Sequence, residues 1–332
     1  MKKPSSPAKK KLSFPLLVGI LKDTFRGFGD DNITKLSASL AYATLFSIIP
    51  FLSLLIMIGT FFHADLGGQL FSQLQPIVGE EAVGQLRGVI ENAAKSNAST
   101  WATIVALGVT VFGATAIFAE MQSSLNLIWG IKAIPKKGWL KFIKNRLLSF
   151  SIILVFAFIL LITFGISTVI GGLSERVLSD YPDVGAGLVK VAGFLINLVV
   201  TTLIFTLMFK MLPDAKIKTK DILVGALVTT VLFLIGQWGI SLYIGVANVG
   251  SVYGAAAFVA ILITWIYYSA IIIYIGAEFT EAWANEMGGR IVPDEFAVAT
   301  QIVEIHSEKP VETVNKTVVK EGSKKAKKLQ SL

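Results

Sequence analysis

Apolar and polar residues alternate along this chain in long blocks rather than in the short repeats of a soluble domain. Each apolar block holds about 20 residues or more, enough for a helix to cross a hydrocarbon core of about 30 Å. The predicted spans lie at approximately 36–62, 101–119, 147–170, 188–211, 222–245 and 253–279. The pattern therefore predicts an all-α fold, a polytopic membrane bundle of six transmembrane helices.

The basic residues follow the same alternation. Of the 30 Lys and Arg residues, 26 lie in the N-terminal segment, the second and fourth connections and the C-terminal tail. The remaining connections hold Arg87, Lys95, Arg176 and Lys190. Because short cytoplasmic loops carry an excess of Lys and Arg, this distribution predicts that both termini are cytoplasmic. It also accounts for the net charge of +8 without nucleic-acid binding.

The chain divides into three parts by composition. Residues 1–13 are basic and are expected to be disordered, 14–285 form the membrane domain, and 286–332 are expected to be a mostly disordered cytoplasmic tail. Residues 14–29 and two stretches within 63–100 have apolar positions at helical spacing, which predicts amphipathic helices at the two interfaces. The first is expected to use one apolar face, namely Phe14, Leu17, Leu21, Phe25 and Phe28. Asp31 and Asn32 are most simply helix caps.

Several kinds of chemistry are disfavoured by the residues present. The chain has no cysteine, and its two histidines, His63 and His306, are expected on opposite sides of the membrane. It has no G-x-x-x-x-G-K-[ST] phosphate loop and no H-E-x-x-H metalloprotease helix. We therefore expect neither an enzyme, a metal site nor a cofactor.

Two carboxylates lie nearest to the hydrocarbon. Glu120 and Glu278 are each expected at the cytoplasmic end of a span. Ionisable groups at membrane depth are costly and often functional, so each is a candidate for coupling to a proton or a ligand. The alternative is a structural role as an interfacial anchor or an ion pair, for example with Arg146.

Polar side chains within the spans are further candidates. Residues of this kind more often join helices by hydrogen bonds than bind a ligand, but several together can line a polar pathway. The candidate pathway residues are Tyr42, Asn197, Gln237, Tyr243, Asn248 and Tyr253, of which the last four belong to a predicted hairpin of spans five and six. Pro50 interrupts the first span, either as a packing kink or as a hinge.

Local sequences taken in order resemble the YihY/virulence factor BrkB family of bacterial inner-membrane proteins. The resemblance covers roughly residues 15–285. It rests on Asp31-Asn32, the run Leu36 to Tyr42, Phe46-Ser47, Pro50, Trp139, Arg146-Leu147, Leu212-Pro213, Gly225-Ala226, Ser251 to Gly254, Trp265, Tyr267, Ser269 and Gly276-Ala277-Glu278. It implies a six-span bundle in the bacterial inner membrane with both termini inside.

The function implied by this resemblance is transport or lipid handling. Some family members carry a ribonuclease label, which two separated histidines do not support, and others are linked to envelope resistance or lipid export. We expect a non-ATPase transporter of an amphipathic envelope substrate, or alternatively a non-transporting scaffold for envelope-assembly partners. The expected partners are membrane lipids, including anionic lipid at the cytoplasmic face, with a homo-oligomer or an envelope protein as further candidates and no nucleic acid.

Overall fold

The structure is a computed structural model that describes residues 13–61, 108–134, 182–247, 257–287, 289–295 and 297–300, with isolated positions in 67–91 and 153–159. Long helices make up most of this part. The elements are α1 (Phe14–Asp30), α2 (Ile33–Phe61), α3 (Ala116–Ile128), β1 (Ile131–Ala133), α4 (Pro182–Met211), β2 (Ala215–Lys216), α5 (Thr219–Ala247), α6 (Ala257–Glu286), β3 (Val292–Pro293) and β4 (Ala297–Ala299).

Four helices in the described part are long and apolar enough to cross a membrane. They are Ile33–Met57, Val191–Met211, Thr219–Gly239 and Val259–Glu286, in α2, α4, α5 and α6. Each coincides with one of the predicted spans. The predicted span at 101–119 is described from residue 108, where the chain is helical with a turn at Thr115. The predicted span at 147–170 lies almost wholly outside the described residues.

Helix α6 is the central element, because α1, α2, α3 and α5 all pack against it. Its residues Ala270, Tyr274 and Ala277 are among the most buried of the core. On α3, Leu125 belongs to the same apolar cluster, as does Phe209 on α4. The buried side chains of these helices therefore form one apolar core around α6.

A reciprocal pair of glycines lets α5 and α6 approach closely. Thr280 of α6 lies against Gly225 of α5, and Thr229 of α5 lies against Gly276 of α6. Each threonine hydroxyl donates to the carbonyl of the glycine one turn earlier in its own helix, at 2.7 Å. Both threonine hydroxyl groups are therefore hydrogen-bonded. Because glycine has no side chain, the two helix backbones can approach closely.

Helix α1 lies across the end of α6. The sequence predicted one apolar face, but the buried residues of α1 are Ile20 and Thr24, of which Ile20 packs beside Phe279 and Ala282. Much of the predicted face is exposed, as Phe14, Leu21 and Phe25 are. The helix therefore has two apolar surfaces, one against α6 and one facing outward, which a single-face prediction does not distinguish.

The turn from α1 to α2 passes through Asn32. Its backbone has φ 52°, in the left-handed region that Asn tolerates better than most residues. The amide of Asp31 donates to the carbonyl of Gly27 at 2.9 Å, and the carbonyl of Asn32 accepts from Leu36 at 3.2 Å. Asp31 thus ends α1 and Asn32 begins α2, which makes both residues part of a helix boundary as predicted.

Short strands join the second and fourth connections to the start of the C-terminal tail. They lie at the same end of the bundle as α1, which we call the α1 end. β1 pairs antiparallel with β4, and β2 pairs antiparallel with β3. The Asn126 amide donates to the Asp214 carboxylate at 2.9 Å and accepts from the Asp214 amide at 2.8 Å. Residues 292–299, which the sequence assigned to a mostly disordered tail, therefore form two strands, and residues beyond 300 lie outside the described part.

Candidate functional site

The most buried carboxyl group at the α1 end belongs to Glu278. This residue is 4% exposed, and its Oε1 atom has no hydrogen-bond partner. Gly27 of α1 lies directly over its carboxyl group, and the carboxyl of Asp31 lies within hydrogen-bonding range of it. Two carboxyl groups this close are expected to hold one proton between them, and we call Asp31 and Glu278 the proton-sharing pair.

The ionisable neighbours of this pair in the described part of the chain are acidic. Asp30 and Glu281 lie near Glu278, and Asp30 also pairs with Arg26 on the exposed side of α1 at 3.6 Å. Burial raises the pKa of Asp31, the hydrogen bond with Glu278 acts in the opposite direction, and the charge of Asp30 raises the pKa again. The net pKa shift is upward, which favours a retained proton.

Tyr274 is a buried polar residue near both predicted carboxylates. It lies one turn before Glu278 on α6 and is fully buried, with Ser124 of α3 beside its hydroxyl group. Glu120, also on α3, is close enough to act electrostatically on Tyr274. The hydroxyl oxygens of Tyr274 and Ser124 are buried without a hydrogen-bond partner. A set of polar groups therefore extends from Glu120 through Tyr274 to Glu278.

Helix α3 is held in place by an aromatic side chain just beyond its end. The indole Nε1 of Trp129 donates to the carbonyl of Ala277 at 3.1 Å, next to Glu278. The same ring makes an edge contact with Phe209, at 6.2 Å between centroids. Gly130 follows with φ 58°, the left-handed conformation in which glycine commonly ends a helix. The Trp129 contact fixes the position of Glu120 and Ser124 relative to α6.

Glu120 itself lies at the outer surface of the bundle. Its Oε1 accepts a hydrogen bond from the Ser39 hydroxyl of α2, at 2.5 Å, in an exposed position. One and two turns further along α2 are Tyr42 and Phe46, which are 68% and 66% exposed. Their rings contact each other at 4.9 Å between centroids and are tilted by 56°. We call these four side chains the α2–α3 notch.

The pathway residues predicted on other helices are placed elsewhere. Asn197 is exposed on α4, where its side chain accepts from Thr201 at 3.0 Å. Gln237 is half-buried on α5. The Tyr243 side chain and the whole of Asn248 and Tyr253 lie outside the described residues, so the pathway predicted for this hairpin stays a prediction.

Pro50 lies inside α2, and the helix continues through it. A β-carbon on Gly113 would lie 3.0 Å from the Pro50 ring, so α2 is in close contact there with the helical stretch that precedes α3. The proline and the glycine therefore form a packing contact above the α2–α3 notch. Its predicted alternative role as a hinge stays a prediction.

Sequence reasoning identified Glu120, Glu278 and Tyr42 but missed the residues that connect them. Asp31 was assigned as a cap, and Ser39 and Tyr274 were not singled out as partners. The available signal was spacing: Gly27 and Asp31 are one turn apart on the side of α1 that faces α6. Whether such a surface meets a carboxylate depends on how α1 crosses α6, which the sequence does not specify.

Comparison with known proteins agrees with the membrane architecture. The family model described as Virulence factor BrkB matches residues 24–298. A UPF0761 membrane protein of Rhodospirillum centenum is 28% identical, over 87% of this chain and 63% of its own length. A UPF0761 membrane protein of Cronobacter sakazakii is 26% identical, over 80% of this chain and 88% of its own length.

A UPF0761 membrane protein of Psychromonas ingrahamii is 28% identical, over 75% of this chain and 82% of its own length. The chain thus spans less than two thirds of the Rhodospirillum relative and most of the other two. No solved structure matches it. The family match covers well over half of the chain, and this protein therefore belongs to the BrkB family of membrane proteins.

Proposed function

We propose that this protein moves an amphipathic envelope lipid across the bacterial inner membrane, along the outer surface of its helix bundle and without hydrolysing ATP. The observation that carries this proposal is the α2–α3 notch. There the half-buried carboxylate of Glu120 accepts a hydrogen bond from Ser39, one turn before the exposed aromatic pair of Tyr42 and Phe46. A polar site on the lipid-facing side of a span is costly unless something polar meets it there.

The depth of the notch suits a lipid headgroup. Ser39 is six residues into α2, which at the helical rise is about 9 Å from its first residue, and Phe46 is about 20 Å from it. A headgroup at Ser39, Glu120 and Tyr42 would therefore lie near one face of the hydrocarbon, and its acyl chains would extend past Phe46.

The membrane topology that we propose has six spans with both termini in the cytoplasm. The pairing of β1 with β4 and of β2 with β3 supports it, because the second and fourth connections would then share one side with the start of the C-terminal tail. The packing of α1 against α6 supports the same side for the N-terminal helix. Those segments belong to the regions rich in Lys and Arg, and the rule for cytoplasmic loops makes that side the cytoplasm.

The proton-sharing pair of Asp31 and Glu278 supplies a means of coupling. It lies at the α1 end, and Tyr274, one turn before Glu278 on α6, is close enough to Glu120 to interact with it electrostatically. Loss of its proton would place two negative charges side by side in a buried position, which would push α1 away from α6. We propose that gain and loss of this proton move α1 towards and away from α6, and that this movement drives transport.

Purified protein in liposomes that contain a fluorescent phospholipid in one leaflet tests the proposal. Wild-type protein is expected to speed movement between leaflets, and an imposed pH gradient is expected to increase the rate. Glu278→Gln is expected to remove the response to the pH gradient, while Gly239→Ala, a change in open space on α5, leaves it intact. Absence of movement by the wild type, together with stable capture of envelope proteins, would instead support the scaffold alternative.

A further inference from the structure

From the α2–α3 notch we infer the headgroup class: the notch is a binding site for a lipid that carries a primary ammonium group. This inference rests on the proposed function, because it names the substrate class of the same site. The four side chains that form the site are Ser39, Tyr42, Phe46 and Glu120.

The charge of the notch selects a cation. Glu120 is its ionisable side chain, and a carboxylate accepts hydrogen bonds at about four lone-pair positions. The Ser39 hydroxyl occupies one of these at 2.5 Å. An ammonium group offers three donors to the remaining positions and balances the charge, whereas a headgroup with phosphate as its outermost group would be repelled.

The two aromatic rings of the notch also favour an ammonium group over an uncharged or anionic headgroup. Tyr42 and Phe46 are tilted by 56° with their centroids 4.9 Å apart, and both are mostly exposed. A cation within about 6 Å of an aromatic face is attracted by the ring. Tyr42 lies one turn from Ser39 on α2, so we infer that an ammonium group bonded to Glu120 contacts the nearer ring.

The exposed surface of α5 shows how an ordinary lipid-facing side differs from the notch. Its exposed large side chains recur at helical spacing and are apolar or aromatic, namely Leu223, Leu227, Val231, Ile235 and Trp238. No carboxylate lies on that stripe among the described residues. Trp238 is 69% exposed, about as much as Tyr42, and therefore offers a matched control for an aromatic ring in lipid.

Lipid binding to the purified full chain tests the inference. Mass spectrometry of the intact protein would compare phosphatidylethanolamine, phosphatidylcholine and phosphatidylglycerol at equal concentration. We expect wild-type protein to prefer phosphatidylethanolamine over phosphatidylglycerol by about 10-fold, equivalent to about 1.4 kcal/mol. Phosphatidylcholine should fall between them, because its quaternary ammonium can contact the rings but cannot donate hydrogen bonds.

Four variants separate the contributions of the Glu120 carboxylate and the Tyr42 ring to this lipid preference. Glu120→Gln should abolish the preference, Tyr42→Leu should weaken it about 3-fold, and Trp238→Leu and Glu295→Gln should leave it unchanged. Equal binding of the three lipids by wild type, or a preference that survives Glu120→Gln, would overturn the inference. A change in oligomeric state with Tyr42→Leu at unchanged lipid preference would also overturn it, since the notch would then be covered by a second copy.

The leaflet assay distinguishes failure of this inference from failure of the proposed function. Lipid movement without a headgroup preference would leave the transport proposal standing and contradict the ammonium site. A preference for the ammonium lipid in binding, without movement between leaflets, would support the site and contradict transport.

Discussion

Gly27 of α1 lies so close to the carboxyl group of Glu278 on α6 that a β-carbon at position 27 would overlap Oε2. Thus the absence of a side chain lets the interfacial helix cover a buried carboxyl group. The Asp31 carboxyl lies one turn further along α1 and meets the same group. A conformational change that separates α1 from α6 would consequently expose both members of the proton-sharing pair together.

Replacing Gly27 by alanine is expected to destabilise the protein. The added methyl group forces α1 away from Glu278 or forces the carboxyl group to move, and overpacking of this kind costs about 1–3 kcal/mol. Thermal unfolding in detergent would measure the loss. Gly29→Ala is the matched control, because nothing lies within 4 Å of its added β-carbon.

A double variant identifies the contact responsible. Glu278→Ala removes the side chain that the new methyl group would meet, so Gly27→Ala should cost much less in that background. Equal costs in the two backgrounds would show that the effect comes from the backbone of α1 and not from Glu278.

The stability of the α1–α6 contact is expected to depend on pH through Asp31. Burial raises the pKa of Asp31 in the folded protein, so the folded state binds this proton more tightly than the unfolded chain does. The resulting stabilisation is complete below the unfolded value of about 3.9 and is lost as the pH rises through the folded value.

Asp31→Asn should therefore raise the melting temperature at pH 7 relative to wild type, and the difference should shrink towards pH 4. Asp23→Asn, on the exposed side of α1, provides the comparison. Asp30 and Glu281 face the same pair, and Arg26 neutralises Asp30 in part, so their contributions remain in both proteins. A difference that grows towards low pH would contradict the assigned direction of the shift.

The reciprocal glycine–threonine contacts predict a second pair of sensitive positions. An alanine at position 225 would overlap Thr280, and an alanine at position 276 would overlap Thr229. Each change should cost about 1–3 kcal/mol, and because both push the same two helices apart, the double variant should cost less than the sum. Gly239→Ala on α5 lies in open space and should be nearly neutral. Additive costs would show that the two contacts respond independently.

The long helices were largely predictable from hydrophobicity, and their ends were not. The predicted span at 188–211 ends with α4 at Met211, but the span predicted to end at residue 279 continues as helix to Glu286. Charged residues from Glu278 onward end the apolar run. The helix nevertheless continues there because Phe279 and Ala282 are buried against Ile20 of α1, a contact between distant parts of the chain.

The candidate site was predictable in its charged residues and not in its partners. Membrane depth singles out Glu120 and Glu278, since ionisable groups are rare there. The Ser39 hydroxyl, the Tyr274 ring and the Asp31 carboxyl become partners through the packing of α1, α2 and α3 against α6. Likewise, strands of two or three residues carry too little periodicity to predict that β1 meets β4.

The strand pairs make the proposed topology testable with cysteine pairs, since the chain has no native cysteine. Lys132 of β1 lies opposite Val298 of β4. Opposite positions on antiparallel strands have β-carbons about 4.5–5.5 Å apart, close to what a disulfide needs. Lys132→Cys with Val298→Cys should therefore cross-link when membranes are treated with a mild oxidant, and each single variant should not.

A control pair of cysteines tests two segments that we place on opposite sides of the membrane. Arg87→Cys with Val298→Cys should remain uncross-linked, because a bilayer of about 30 Å separates the two positions in the six-span topology. In intact cells, a thiol reagent that does not cross the inner membrane should label Arg87→Cys and spare Lys132→Cys. Labelling of Lys132→Cys and Val298→Cys from outside would reverse the orientation, and a cross-link between positions 87 and 298 would contradict the six-span arrangement, because it requires both segments on one side.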